Sequence, residues 1–315
     1  MKNRLIKDIG ASVRARLLNM AKKTGRDFDA VLVRYLQERF LYRLSRSPYE
    51  RYFILKGALL FLAYEMPFFR PTKDIDFLGS ATSNDMDNIM GMVREIAGLH
   101  VPDGVTFYPD SVKTERIKED ADYEGVRVKL EATLSGARKT LQLDIGFGDI
   151  VVPGPVEIEF PVLLEGLPVP TLMVYSKESA VAEKFEALVK LNFLTSRMKD
   201  AYDILFLASQ ESFSLATMSE AIIATFRRRL TPLGDRKVIF GGEFKNQKEK
   251  QEQWSAFLKR NRLESDEAFS ATMEKIELFL GPACGLDAPR KDDQKWNPET
   301  WKWESPTSEL KVSRQ

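Results

Sequence analysis

Residues 53–79 read FILKGALLFLAYEMPFFRPTKDIDFLG, and the fold turns on how this stretch is parsed. An apolar lead-in meets a glycine turn at Gly57. A short apolar helix follows, then a loop with two prolines, then a strand carrying Asp74 and Asp76. Residues two apart on a strand point to the same face, so the two carboxylates sit side by side while Ile75 and Phe77 face the other way. Adjacent carboxylates repel each other unless a cation or a shared proton compensates. A hard divalent ion such as Mg²⁺, held by one or two carboxylates and by substrate phosphates, is the natural compensator. Gly57 opens the preceding helix, where backbone N–H groups and the helix dipole favour an anion. Together these features suggest a nucleotide–metal site. Asp-x-Asp is a common pattern, however, and by itself reads equally as two solvated strand residues.

Composition narrows the chemistry. The 315 residues suffice for one large domain or two ordinary ones, and 43% hydrophobic with 30% charged residues is the balance of a globular protein. No apolar run approaches the roughly 20 residues that span a bilayer, and the N-terminus lacks the pattern of a signal peptide, so a cytoplasmic protein without a membrane partner is expected. Cys284 and His100 are the only residues of their types, which excludes an internal disulfide, a cysteine-based zinc site and a cluster of histidine ligands. His100 lies in a turn, GLHVPDG. The net charge is +1, but residues 1–26 carry Lys2, Arg4, Lys7, Arg14, Arg16, Lys22, Lys23 and Arg26 against Asp8 alone. Arg227, Arg228 and Arg229 form a second basic cluster. Either cluster can hold a polyanion through its phosphates, or serve as a solvated helix face.

Outward from the central stretch, residues 11–23 read as a helix ended by Gly25, and Asp27 caps a second helix with Phe28, Val31, Leu32, Tyr35, Leu36 and Phe40 on its apolar face. Residues 84–99 form a further amphipathic helix. From 126 the period becomes two: Val126, Val128, Leu130, Ala132 and Leu134, then the turn SGAR, then Leu141, Leu143 and Ile145, the pattern of an antiparallel hairpin with one buried face. Asp144 lies on the polar face of its second strand and joins Asp74 and Asp76 only if the strands are neighbours. The proline-rich 153–172 reads as a surface connection with short edge strands. Ser176 caps a helix on which Lys184 borders an apolar stripe, either snorkelling or reaching a triphosphate. Asp200 and Asp203 follow at i,i+3 spacing, with ion pairing to Lys199 or Lys184 as the plain structural alternative. Residues 286–315 are polar, with Trp296, Trp301 and Trp303, and read as a tail partly ordered where the tryptophans dock.

Several segments together resemble the AbiEii-type nucleotidyltransferase toxins of bacterial toxin–antitoxin and abortive-infection systems: YRLSRSPYERYFILKGALL, RPTKDIDFLG, LDIGFGDIVVPGP, YSKESAVAEKFEALVKL and SRMKDAYDI, with TFRRRLTPL and QWSAFLKR further on. The resemblance covers roughly residues 10–260 in order. It implies an α+β fold: a polymerase-beta-like nucleotidyltransferase core of a small mixed sheet with flanking helices over 1–170, a helical C-terminal lobe over 171–285, and a polar tail over 286–315. It implies that Gly57 and Ala58 face the phosphates of an NTP, that Asp74 and Asp76 are the metal-binding catalytic pair, and that Asp144 is a third metal ligand. Lys184 corresponds to the triphosphate contact and Asp200 to the acid of the family's downstream element, with Asp203 the weaker candidate. Ala58 departs from the family's usual Gly or Ser, keeping the N–H but supplying no hydroxyl.

The activity so implied is transfer of NMP from NTP with two Mg²⁺ ions, the tRNA 3′ end being the acceptor, phage defence the setting and an antitoxin protein the partner. A nucleotidyltransferase acting on a small molecule or protein side chain is the alternative. A non-catalytic RNA- or protein-binding relative is the third reading, and the joint presence of Asp74, Asp76, Asp144 and Lys184 argues against it.

Overall fold

Capping residues set the first helices where side-chain chemistry demands. The computed structural model describes residues 8–64, 72–120, 123–263, 267–285 and 294–305, so Lys2, Arg4 and Lys7 lie outside the described residues. Helix α1 (Ile9–Thr24) begins at Asp8, whose carboxylate accepts the Ala11 N–H at 2.9 Å, and ends on Gly25 at φ 64. Helix α2 (Phe28–Ser45) begins at Asp27, which accepts the Ala30 N–H.

The chain divides into two compact units, one comprising Met1–Asp149 and Pro155–Tyr175, the other Ile150–Gly154 and Ser176–Gln315. In the first unit β1 (Phe53–Lys56) leads through α3 (Gly57–Ala63) to β2 (Asp74–Gly79), and α4 (Met86–Gly98) follows. Then come β3 (Val105–Phe107), β4 (Lys113–Asp120), β5 (Tyr123–Leu134), β6 (Ala137–Phe147), β7 (Val156–Glu159) and β8 (Thr171–Val174). They form one sheet in the order β3-β5-β6-β2-β1-β8-β7, with β4 beside β3 along the same edge of β5. The β2–β6 and β1–β8 pairs are parallel and the rest antiparallel, which makes the sheet mixed. Ile75, Phe77, Leu143 and Ile145 are buried, and helices α2 and α4 pack on the sheet. Strand alternation then puts Asp74, Asp76 and Asp144 on the opposite face.

Two expectations are corrected. Helix α2 is not simply amphipathic: Arg34, Gln37, Glu38, Arg39 and Arg43 are as buried as its leucines. The proline-rich stretch is largely exposed, as a surface connection should be, but helix α2 ties it down. Arg34 and Arg39 donate to the carbonyls of Pro161 and Pro168, and Glu38 accepts the Leu163 N–H at 2.7 Å. A proline-rich segment has few N–H groups to exchange, and buried guanidiniums need acceptors, so the helix arginines and these carbonyls serve each other. Within that stretch only β7 is an edge strand, since β8 lies between β7 and β1.

The second unit is mainly helical. Its helices are α5 (Lys177–Leu191), capped by Ser176, α6 (Met198–Gln210), α7 (Leu215–Arg228), the short α8 (Arg236–Ile239) and α9 (Gly242–Lys245), α10 (Lys248–Asn261) and α11 (Phe269–Leu280). Residues 294–305, the part of the tail where the tryptophans are expected to dock, carry a hairpin of β9 (Lys295–Asn297) and β10 (Lys302–Glu304). Trp296 is buried, donates its Nε1–H to the Ala208 carbonyl at 2.6 Å and packs on Phe279 at 4.8 Å between ring centroids. Its indole has too much apolar surface to leave in water and finds its one hydrogen-bond partner inside. Among the described residues no helix is long and apolar enough to cross a membrane.

Candidate active site

Strand register assembles a row of charged side chains across four neighbouring strands of the first unit. Antiparallel β1 and β2 put Lys56 opposite Asp76, parallel β2 and β6 put Asp76 beside Asp144, and antiparallel β5 and β6 put Arg127 opposite Asp144. Directly paired residues share a face, so the row runs Arg127, Asp144, Asp76, Lys56. Asp74 stands on the same face two residues before Asp76 and pairs in register with Gln142.

Gly57 explains why the turn is glycine. Its φ is +71, and a Cβ built there would lie 2.0 Å from Asp76 Oδ2 and 2.6 Å from its Cγ. The Asp76 carboxylate therefore rests in the space that any side chain at 57 would fill. The role of this residue is steric as well as conformational. Helix α3 starts at Gly57 without a side-chain cap hydrogen bond, and Ala58 is its second residue.

Asp144 is held by its neighbours. Arg127 donates to both of its oxygens, Nε to Oδ1 and Nη2 to Oδ2, each at 2.8 Å, and Gln142 Nε2 lies 3.2 and 3.1 Å from the same two atoms. The hydrogen bonds that Arg127 donates to Asp144 in turn hold its guanidinium above its ordinary pKa, against a smaller cost of burial. Among the described residues no three acid, histidine or cysteine side chains gather at metal-holding distance. The trio expected of Asp74, Asp76 and Asp144 is thus neighbouring in the sheet but not drawn together as a ligand set. Asp74 and Asp76 remain as paired hard oxygen donors, one of them seated in a cradle that a Cβ would fill, and this set suits a magnesium ion. At the far end of the row Lys56 is buried and bonds Asp149 at 3.0 Å, with the Tyr175 hydroxyl 3.5 Å from the same oxygen.

In the second unit Lys184 donates to Asp200 Oδ1 at 3.1 Å and to Asp203 Oδ2 at 2.6 Å, and Arg197 bonds the other oxygen of Asp200. Both aspartate side chains are 1% exposed. Burial alone would raise the Asp200 pKa, but Lys184 and Arg197 outweigh it and hold the carboxyl below its ordinary 3.8. Of the arginine cluster, Arg227 and Arg228 are exposed. Arg229 pairs with Glu183 and with fully buried Glu186, each at 3.2 Å, and Thr231 also bonds Glu186.

Sequence reasoning gave no part in the site to Lys56, Arg127, Gln142, Asp149 or Arg197. Strand parity gives the face of each residue, and Lys56 abuts Gly57 in the sequence. Which strands lie side by side is a long-range fact that parity does not carry.

The geometry is that of a sheet carrying paired acids over a glycine turn, and comparison with known proteins bears on it directly. Curated proteins give no match. Two Helicobacter pylori structures are similar in part. One is described as a candidate nucleotidyltransferase, at 17% identity over 80% of this chain and 99% of that one, with TM-score 0.40. The other, JHP933, is 16% identical over 81% and 97%, with TM-score 0.39. The model of the AbiEii nucleotidyl transferase toxins, a type IV toxin–antitoxin system, matches residues 39–275, three quarters of the chain. The match spans the glycine turn, the paired acids and the Lys184 cluster alike, and on it the chain belongs to the AbiEii family of nucleotidyltransferase toxins.

Proposed function

We propose that this nucleotidyltransferase moves NMP from an NTP to a hydroxyl of an RNA acceptor, the 3′ end of tRNA, in a magnesium-dependent reaction that blocks translation. The observation that carries the reading is the seat of Asp76 over Gly57, beside Asp74 and in register with Asp144. Asp74 and Asp76 would hold magnesium, which supplies charge neutralisation at the phosphates and a more acidic acceptor hydroxyl. Gly57 keeps the Asp76 carboxylate in place, and the backbone of Gly57 and Ala58 takes the family's phosphate-side position. The acceptor oxygen bonds to the α-phosphorus as the bond to the β-phosphate oxygen breaks. Pyrophosphate leaves, and the hydroxyl proton passes to solvent. Such transfers depend on positioning and charge rather than on an imidazole base, so a chain with one histidine is equipped for it. Membership of a type IV system brings with it an antitoxin partner.

The test is incubation of the protein with labelled NTPs, Mg²⁺ and total RNA, followed by identification of the labelled species. Wild type labels tRNA, and Asp76→Asn, checked for native circular dichroism, labels nothing. Equal labelling by the variant, with Mg²⁺ dependence intact, removes Asp74 and Asp76 from the reaction. Label on protein or a small molecule instead of RNA moves the acceptor to that class.

A further inference from the structure

The geometry points to Arg127 as a positioning residue that keeps the third acid in reserve: it grips both oxygens of Asp144 before a divalent cation binds and yields them once one settles on Asp74 and Asp76. The inference rests on the proposed metal role of those two acids and adds a part for a residue outside that set.

Three observations carry it. The first is placement. Asp144 is the register partner of Asp76 on one side and of Arg127 on the other, so the same carboxylate faces an acid-lined site and a cation across one strand spacing each way. The second is occupancy. Arg127 engages both oxygens at 2.8 Å, which accounts for the failure of the three acids to gather as a ligand set among the described residues. The third is the contrast with the other ion pairs of the same unit. Arg43 with Asp103 is 2% and 1% exposed, and Lys56 with Asp149 is 8% and 5% exposed. Those pairs are sealed, and breaking either strands a buried charge. The Arg127 side chain is 31% exposed, so its guanidinium can leave Asp144 for water at little cost. Gln142, a neutral donor two residues before Asp144 on the same strand, stays with the carboxylate when Arg127 departs and keeps it oriented.

Charge gives the direction of the effect. The cluster of Arg127, Lys56, Asp74, Asp76, Asp144 and Asp149 carries two positive and four negative charges, a formal net of −2. An arginine two strands from Asp74 and Asp76 repels an incoming divalent ion while it occupies Asp144. Removing its charge therefore strengthens metal binding. A unit charge and a divalent ion two strand spacings, about 10 Å, apart in a water-like dielectric interact by about 0.8 kcal/mol, enough to change affinity about fourfold.

The experiment is Mn²⁺ binding, followed by electron paramagnetic resonance of the free ion, to the full chain without NTP or RNA. Wild type, Arg127→Gln, Arg127→Lys and the double variant Arg127→Gln/Asp144→Asn are compared, with native circular dichroism as the criterion for inclusion. Arg127→Gln, which retains a donor without charge, binds Mn²⁺ about fourfold more tightly than wild type. Arg127→Lys remains near wild type, and the double variant loses the gain. Mn²⁺ affinity equal to or below wild type in Arg127→Gln overturns the role, as does a gain that survives Asp144→Asn. If wild type itself binds no Mn²⁺ and Asp76→Asn changes nothing, the failure belongs to the metal reading of Asp74 and Asp76. Should Arg127→Gln not fold, Arg127 is a structural residue and the inference falls.

Discussion

Replacing Gly57 by alanine separates backbone conformation from the seating of Asp76, because another glycine of the same unit serves as its control. Gly136, in the turn between β5 and β6, has φ +80 and nothing within 4 Å of the place a Cβ would take, whereas Gly57 at φ +71 has three Asp76 atoms within 2.7 Å of that place. Both substitutions force an L-residue into the left-handed region, at about 1 kcal/mol. That is a Tm loss of about 2–4 °C for a unit of this size. Only Gly57→Ala also overlaps a side chain. Since the clash includes Asp76 Cγ at 2.6 Å and Cβ at 2.7 Å, turning the carboxylate alone does not relieve it, and β1 and β2 must shift. Overpacking of this kind costs about 1–3 kcal/mol more. On the proposed metal role of Asp76, displacing its carboxylate by the order of an ångström lowers transfer about 100-fold. Differential scanning calorimetry and labelled-NTP transfer on wild type, Gly136→Ala and Gly57→Ala make the comparison. Gly136→Ala loses a few degrees and keeps its activity, while Gly57→Ala loses more stability and nearly all transfer. Two variants that melt together and both remain active would refute the steric role of Gly57.

Two further outcomes follow from the ion pairs. Lys184→Ala leaves Asp200 and Asp203 buried without their lysine and destabilises the second unit by about 3 kcal/mol at neutral pH, measured by urea denaturation. The Asp200 pKa is depressed in the folded chain, so its contribution is present above the unfolded value and lost as pH falls through the folded one. The deficit of Lys184→Ala should therefore shrink as pH drops below about 4, and a deficit constant with pH contradicts the charge account. If RNA is held by exposed arginines, Arg227→Ala/Arg228→Ala lowers the slope of log affinity against log salt by up to about 1.5, with NTP affinity unchanged. Arg229 is left out of that test because its loss would strand buried Glu186, and an unchanged salt slope would make the remaining two a solvated helix face.

Local rules carried far into this chain. Asp27, Ser176 and Gly25 sit at helix boundaries because their side chains, or the lack of one, satisfy end groups that any helix leaves open. The hairpin of β5 and β6 follows from alternation and a turn, and the ordered match of short segments to one family named the fold and the class of enzyme. Alternation placed Asp74, Asp76 and Asp144 on polar faces, because side-chain direction along a strand depends only on parity.

What parity cannot convey is which strands touch. That β2 and β6 run side by side is a pairing between residues nearly seventy positions apart, and only the closed sheet decides it. The same holds for charge. The sequence shows Arg127, Lys56 and Lys184 as cations, but their partners are chosen by register and burial. Arg127 falls on Asp144 and Lys56 on Asp149, neither a neighbour in sequence, and for Lys184 the structure selects the pairing with Asp200 and Asp203 that the sequence offered as one alternative. Gly57 shows the division in one residue. Its glycine marks a turn in the bare sequence, while the reason no side chain fits there is the carboxylate of Asp76, carried in by the antiparallel strand beside it.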